Sequence, residues 1–128
     1  MHLSAVRLFV DDLRAARAFY GTQLALPLRA AGPDEAWLVF DAGGLDLVVE
    51  PVAADAVAEE RALVGRFSGL SFAVDDIAAA YQRLLAEGVH FSGEPEAQAW
   101  GGVLATLVDP AGNSLQLVQP PRAASGLS

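Results

Sequence analysis

The sequence predicts an α+β fold made of two tandem copies of one strand–helix–strands module. Three observations carry that prediction. Val10-Asp11-Asp12-Leu13 recurs as Val74-Asp75-Asp76-Ile77, each time at the end of an apolar run and the start of a helical pattern. Asp41-Ala42-Gly43-Gly44-Leu45-Asp46-Leu47-Val48 recurs, lengthened in its turn, as Asp109-Pro110-Ala111-Gly112-Asn113-Ser114-Leu115-Gln116-Leu117-Val118. The 128 residues are 53% hydrophobic and 19% charged, which suits one packed domain or two small half-domains sharing a core.

In the first copy, residues 5–10 alternate, with Val6, Leu8 and Val10 on one face and Ala5, Arg7 and Phe9 on the other. Asp11 or Asp12 supplies an N-cap oxygen to an amphipathic helix whose stripe is Leu13, Ala16, Phe19, Tyr20 and Leu24, stopped before Pro27. Residues 37–40 and 45–49 read as strands joined by a hairpin at Gly43-Gly44. In the second copy Leu70, Phe72 and Val74 oppose Gly69, Ser71 and Ala73. Asp75 is expected to cap a helix striped by Ile77, Ala80, Tyr81, Leu84 and Leu85, with Gly88 closing it. Residues 103–108 and 114–118 form a second hairpin across Asp109-Pro110-Ala111-Gly112-Asn113. Module one thus spans about 3–52, a linker 53–68, and module two 69–119, within one domain over 1–119. Residues 120–128, with a Pro-Pro pair and small polar residues, are expected to be a disordered tail.

Composition removes several classes of function. There is no cysteine, which excludes disulfide scaffolds, thiolate metal sites and cysteine nucleophiles. The net charge is −8, and all eight basic residues are arginine. That balance disfavours a nucleic-acid backbone as partner and is compatible with a cationic small molecule. No signal-like segment is present at the start, and the uncharged run 97–108 is too short to cross a bilayer, so no membrane partner and a cytoplasmic location are expected.

The strand faces turned away from the helices carry a mixture: Arg7, Phe9, Asp46, Val48, Glu50, Ser71, Ser114 and Gln116. Either this is a solvated sheet face, or two sheets curl so that it lines a cleft. The repeat alone leaves both open.

Phe9-Val10-Asp11-Asp12-Leu13 running to Phe19-Tyr20 and Leu24-Ala25-Leu26, together with Asp109-Pro110-Ala111-Gly112-Asn113, resembles the vicinal oxygen chelate superfamily, which includes glyoxalase I, extradiol dioxygenases, fosfomycin resistance enzymes and bleomycin-binding proteins. The likeness spans about residues 3–119, and glycine is usual in the family where Ala25 stands. It implies two βαβββ modules forming a cupped mixed sheet around a cleft. The family's usual metal positions fall on Ala5, Asp46, Gly69 and Gln116, of which alanine and glycine offer no side-chain ligand. His2 and His90 lie away from those positions, so no metal and no cofactor are expected.

Other chemistry has few candidates. No serine has a histidine–carboxylate partner at hand, and Asp46 and Glu50, four residues apart on a strand, stand too far apart to share a proton. No catalytic residue is therefore assigned. Within the superfamily the chain is most similar to the bleomycin resistance type. Gln98-Ala99-Trp100-Gly101 resembles its Trp-Gly segment, and Trp37 lies on a strand that supplies another aromatic wall.

The expected function is metal-independent binding and sequestration of a small aromatic natural product or antibiotic by a homodimer. Its ligand-binding residues would be Trp37, Trp100, Arg7, Phe9, Asp46, Glu50 and Gln116. Stacking on tryptophan or phenylalanine contributes about 0.5–1.5 kcal/mol per aromatic pair beyond burial. The tryptophans serve equally well as core or interface packing, and Arg7 either meets a ligand oxygen or pairs with Asp46 or Glu50. The alternatives are a glyoxalase-like lyase, isomerase or dioxygenase with a non-standard or absent metal site, and a non-catalytic module that only dimerises.

Overall fold

A computed structural model describes residues 1–122. The chain divides into two compact units: Met1–Ser68 together with Asp109–Asn113, and Gly69–Val108 together with the chain from Ser114 onward. Two mixed sheets, of four and five strands, and a few short helices make an α+β fold. No helix among the described residues is long and apolar enough to cross a membrane.

The first sheet holds β1 (Ala5–Val10), β2 (Leu28–Ala31), β3 (Leu38–Asp41) and β4 (Asp46–Pro51), in the order β1-β4-β3-β2. β1 runs parallel to β4, and the other pairs are antiparallel. Alternation sends Leu8, Val10, Leu38, Phe40, Leu47 and Val49 into the core and leaves Arg7, Phe9, Val48 and Glu50 on the open face. β2 escaped the sequence reading: Leu28-Arg29-Ala30-Ala31 has no alternation because this edge strand is exposed along its whole length.

The helix after β1 differs from the expectation in form but not in face. α1 covers only Leu13–Arg17, and Ala18–Gln23 continues as a π-helical turn closed by the Leu24 amide donating to the Phe19 carbonyl at 2.8 Å. The wider turn lets the neighbours Phe19 and Tyr20 both sink into the core, their rings edge-to-face at 4.8 Å. Asp12 caps α1 by accepting from the Ala15 amide. The turn exits through Ala25 at φ +59, left-handed backbone that favours glycine. The segment 53–68 holds the short helix α2 (Ala58–Arg61).

The second sheet holds β5 (Phe67–Ala73), β6 (His90–Phe91), β7 (Glu96–Ala97), β8 (Val103–Val108) and β9 (Ser114–Gln119), in the order β5-β9-β8-β6 with β7 also on β8. Between β5 and β6 lies α3 (Ile77–Ala86), with Ile77 and Leu84 buried. Its N-cap is Asp76 and not Asp75: the Asp76 carboxylate accepts from the Ala79 amide at 3.1 Å. This mirrors Asp12, since a cap must immediately precede the first helical residue to reach the amide three further on. Gly88, at φ +87, ends the helix as expected. Of the expected tail, residues 123–128 lie outside the described residues.

One polar cluster is buried in the first unit. Asp109 and Asn113, at the two ends of the β8–β9 turn, are 4% and 1% exposed. Asp109 Oδ1 accepts from the Ala111 and Asn113 amides, both at 2.9 Å, and Oδ2 accepts from the Tyr20 hydroxyl at 2.7 Å and Asn113 Nδ2 at 3.1 Å. Asn113 Nδ2 also donates to the Phe9 carbonyl at 2.8 Å, and its Oδ1 accepts from the Gly65 and Arg66 amides at 2.9 and 3.0 Å. Among the described residues no buried side-chain nitrogen or oxygen lacks a partner.

Two outcomes follow from these contacts. Ala25→Gly relieves the left-handed alanine, and urea denaturation should record a gain of about 0.5–1 kcal/mol, the penalty of about 1–2 kcal/mol less the greater unfolded-state freedom of glycine. The Tyr20 phenol is pushed well above its ordinary value of 10.0, first by burial and then by the Asp109 charge and hydrogen bond. Its stabilising effect is complete below that value and fades as pH climbs past it. Absorbance titration at alkaline pH, compared with Tyr20→Phe, should therefore show the Tyr20 phenol staying protonated until the protein unfolds. Tyr20→Phe should cost about 1–3 kcal/mol by leaving a buried carboxylate oxygen short of a donor.

Candidate functional site

The open face of the first sheet brings together most of the residues singled out from the sequence. β1 and β4 run in register, so Arg7 lies beside Val48 and Phe9 beside Glu50. Arg7 engages Glu50 through two bonds, with Nη2 donating to Oε1 at 3.1 Å and Nε to Oε2. Its guanidinium also lies over the Phe9 ring, 5.2 Å from the centroid. Of the two roles considered for Arg7, the internal ion pair is the one formed. The bonds from Arg7 hold the Glu50 carboxyl below its ordinary value, against a smaller opposing effect of burial.

Asp46 is likewise matched. Arg29, on the edge strand β2, reaches it with Nε 3.1 Å from Oδ1. Sequence reasoning missed Arg29 because β2 gives no strand signal, and a bulge between Leu28 and Ala30 sets its register. The two carboxylates of this face therefore each stand against a guanidinium. What remains between them is aromatic and aliphatic: Phe9, Val48 and Val39 are half-buried. Trp37, immediately before β3, is 41% exposed.

In the second unit Gln116 occupies the middle of β9, and its Oε1 accepts from the Ser71 hydroxyl at 3.3 Å. It lines a groove of about 290 Å³ with Ser92, Glu96, Gln98, Leu104 and Thr106. Trp100 sits in the turn leading into β8, 53% exposed.

The residues at the family's metal positions do not suit a metal ion. Ala5 and Gly69 have no donor atoms, Asp46 is engaged by Arg29, and Gln116 contributes a neutral amide already accepting from Ser71. Gly69 stands at φ +75, so its backbone disfavours any side chain at that position. Among the described residues no three His, Asp or Glu side chains gather into a cluster, and both His2 and His90 are exposed.

Two mixed sheets with short helices, a polar-and-aromatic open face and a duplicated Asp-capped helix define a paired-module α+β protein of the vicinal-oxygen-chelate kind. Residues 2–117 match the Glyoxalase/Bleomycin resistance protein/Dioxygenase superfamily, and the chain belongs to it. TnmS3, an antibiotic binding protein from Streptomyces sp. CB03234, is 31% identical with a TM-score of 0.73, the likeness covering 94% of this chain and 96% of that one. YetH of Bacillus subtilis (strain 168), an uncharacterized protein, is 27% identical over 104 residues, 77% of this chain and 82% of its own. Lactoylglutathione lyase from Agrobacterium tumefaciens shares the fold at 23% identity, with a TM-score of 0.71 over 92% of each chain.

The Arg7–Glu50 pair has a direct readout. Carbon-detected NMR should find the Glu50 carboxyl titrating below its ordinary 4.5, and Arg7→Ala should return it upward. What the pair contributes to stability is present above that ordinary value and lost as pH falls through the lowered one. The pair is exposed enough that Glu50→Gln should leave the melting temperature within about 4 °C of wild type.

Proposed function

We propose that this protein binds and sequesters an uncharged, planar aromatic small molecule, without a metal and without transforming it. The observation that carries the reading is the charge closure of the open face, where Arg7 meets Glu50 and Arg29 meets Asp46 around Phe9 and Val48. A cationic or anionic ligand would have to break one of these pairs and leave its other member unmatched. A neutral ring gains stacking and apolar burial without that cost. In the first unit the half-exposed Trp37 supplies further flat apolar surface. The second unit, taken by itself, carries the half-exposed Trp100 and a groove where Gln116, Gln98 and Thr106 offer hydrogen bonds to carbonyl or hydroxyl groups. TnmS3, described as an antibiotic binding protein, makes a natural product or antibiotic the ligand class to try first. The acidity of the whole chain is then a property of its outer surface and solubility.

We further infer that the protein works as a cytoplasmic homodimer. Phe67 and Leu3 of the first unit are 73% and 66% exposed, so apolar surface is available for a second copy. Light scattering at micromolar concentration should return twice the mass of the 13.3 kDa chain.

Binding is tested by tryptophan fluorescence with three probes of one shape and different charge: neutral 1,4-dihydroxyanthraquinone, anthraquinone-2-sulfonate and ethidium. The neutral probe should quench at one per chain and raise the melting temperature, with a Kd that changes less than about threefold between low and high salt. The charged probes should bind more weakly. No quenching and no thermal shift with any planar aromatic would overturn the sequestration reading.

A further inference from the structure

The two tryptophans share a structural device that the fold does not require. In the first unit, a β-carbon added to Gly32 would fall 2.4, 2.6 and 2.5 Å from Cδ2, Cε2 and Cε3 of Trp37. Cδ2 is a ring-fusion atom, and a point nearly equidistant from it and from both of those neighbours lies above the ring plane, not at its edge. In the second unit, a β-carbon on Gly102 would fall 2.0, 2.1 and 2.9 Å from Cζ3, Cη2 and Cε3 of Trp100, off the ring plane at the outer edge of the six-membered ring. Each indole thus occupies the volume where any other residue would carry its side chain.

Neither glycine is needed for backbone reasons. Gly32 has φ −68 and ψ 173, ordinary extended geometry that any residue adopts. Gly102 is absent from the positive-φ glycines, unlike its neighbour Gly101 at φ +100. The hydrogen bonds around them belong to the main chain: the Gly32 amide donates to the Trp37 carbonyl at 2.9 Å, and the Gly102 carbonyl accepts from the Gln98 amide at 2.8 Å. An alanine would keep these bonds. The indole is what excludes it.

We propose that Gly32 and Gly102 are positioning residues: Gly32 seats one face of Trp37 flat against the main chain, Gly102 receives the outer edge of Trp100, and each so holds its indole as a fixed stacking platform. Trp37 and Trp100 remain 41% and 53% exposed in this arrangement, large for side chains whose ring lies against backbone. Fixing a ring before the ligand arrives removes rotamer entropy that would otherwise oppose stacking. This role rests on the sequestration reading, whereas the seating itself does not.

The experiment uses the full chain. Gly32→Ala is made in a Trp100→Phe background and Gly102→Ala in a Trp37→Phe background, so that one indole reports in each. Acrylamide quenching should increase when the seat is filled, because the displaced ring loses its cover. The Kd for 1,4-dihydroxyanthraquinone should rise about three- to tenfold, the worth of one stacking contact. Should Gly102→Ala fold poorly, Gly102→Ala/Trp100→Ala decides the matter: alanine at 102 should lower the melting temperature beside Trp100 and leave it unchanged once the indole is gone. Unchanged quenching, or equal destabilisation with and without the indole, overturns the seat. Altered quenching with an unchanged Kd overturns the platform role. A wild-type protein that binds no probe overturns the sequestration reading, while the quenching and rescue arms still decide the seating.

Discussion

The first unit depends on a buried carboxylate, Asp109, that sits at the start of a hairpin far along the chain from everything it holds. Its four accepted bonds fix the turn through Ala111 and Asn113 and reach across to the Tyr20 hydroxyl, 89 residues away in sequence. Asn113 extends the cluster to the Phe9 carbonyl at the end of β1 and to the Gly65 and Arg66 amides. A charge this deep is tolerated only when all its lone pairs are matched, and here they are. The cluster explains why the segment 109–113 belongs to the first unit although its flanking strands lie in the second sheet. Tyr20 reaches the cluster from the π-helical turn, where it is buried beside Phe19.

From that fixed point the open face inherits its geometry. The Phe9 carbonyl is held by Asn113 while the Phe9 ring, projecting from the sheet face, lies under Arg7. Arg7 is then placed to take Glu50 in the adjacent parallel strand. Scaffold and face thus meet in one strand: the Phe9 main chain answers to the buried cluster, while Arg7 and the Phe9 ring lie on the open face. The face can change its chemistry without disturbing the cluster, which is how one superfamily fold accommodates both enzymes and binding proteins.

Most of the scaffold was legible in the sequence because it is periodic or local. The alternation of β1 and β4, the two hairpins and the Gly88 stop all follow from rules acting over a few residues. What escaped is non-local or lacks a pattern. β2 is an exposed edge with nothing to alternate, so Arg29 and its partnership with Asp46 were invisible. Tyr20 read as one more apolar position on a helix, since nothing nearby shows that its hydroxyl meets Asp109. The expected cap was Asp75, but the helix begins at Ile77, so the role falls to Asp76, the counterpart of Asp12 in the repeat. Arg7 with Glu50 was foreseen as one of two options, because both lie on one face of strands the repeat had already located.

Duplication also shows how the two modules have parted at the four positions to which the family resemblance would assign a metal. The scaffold elements stay in step: an aspartate cap before each helix and a hairpin after it. The open-face positions do not, with Ala5 and Asp46 in one module and Gly69 and Gln116 in the other. At Gly69 the divergence has gone beyond side-chain identity. Its φ of +75 within β5 means that placing histidine or glutamate there would carry a left-handed penalty of about 1–2 kcal/mol before any ligand bond formed. Building a metal site there would therefore require reshaping the strand as well as replacing residues, while in the first module Asp46 is already engaged by Arg29 and Glu50 by Arg7.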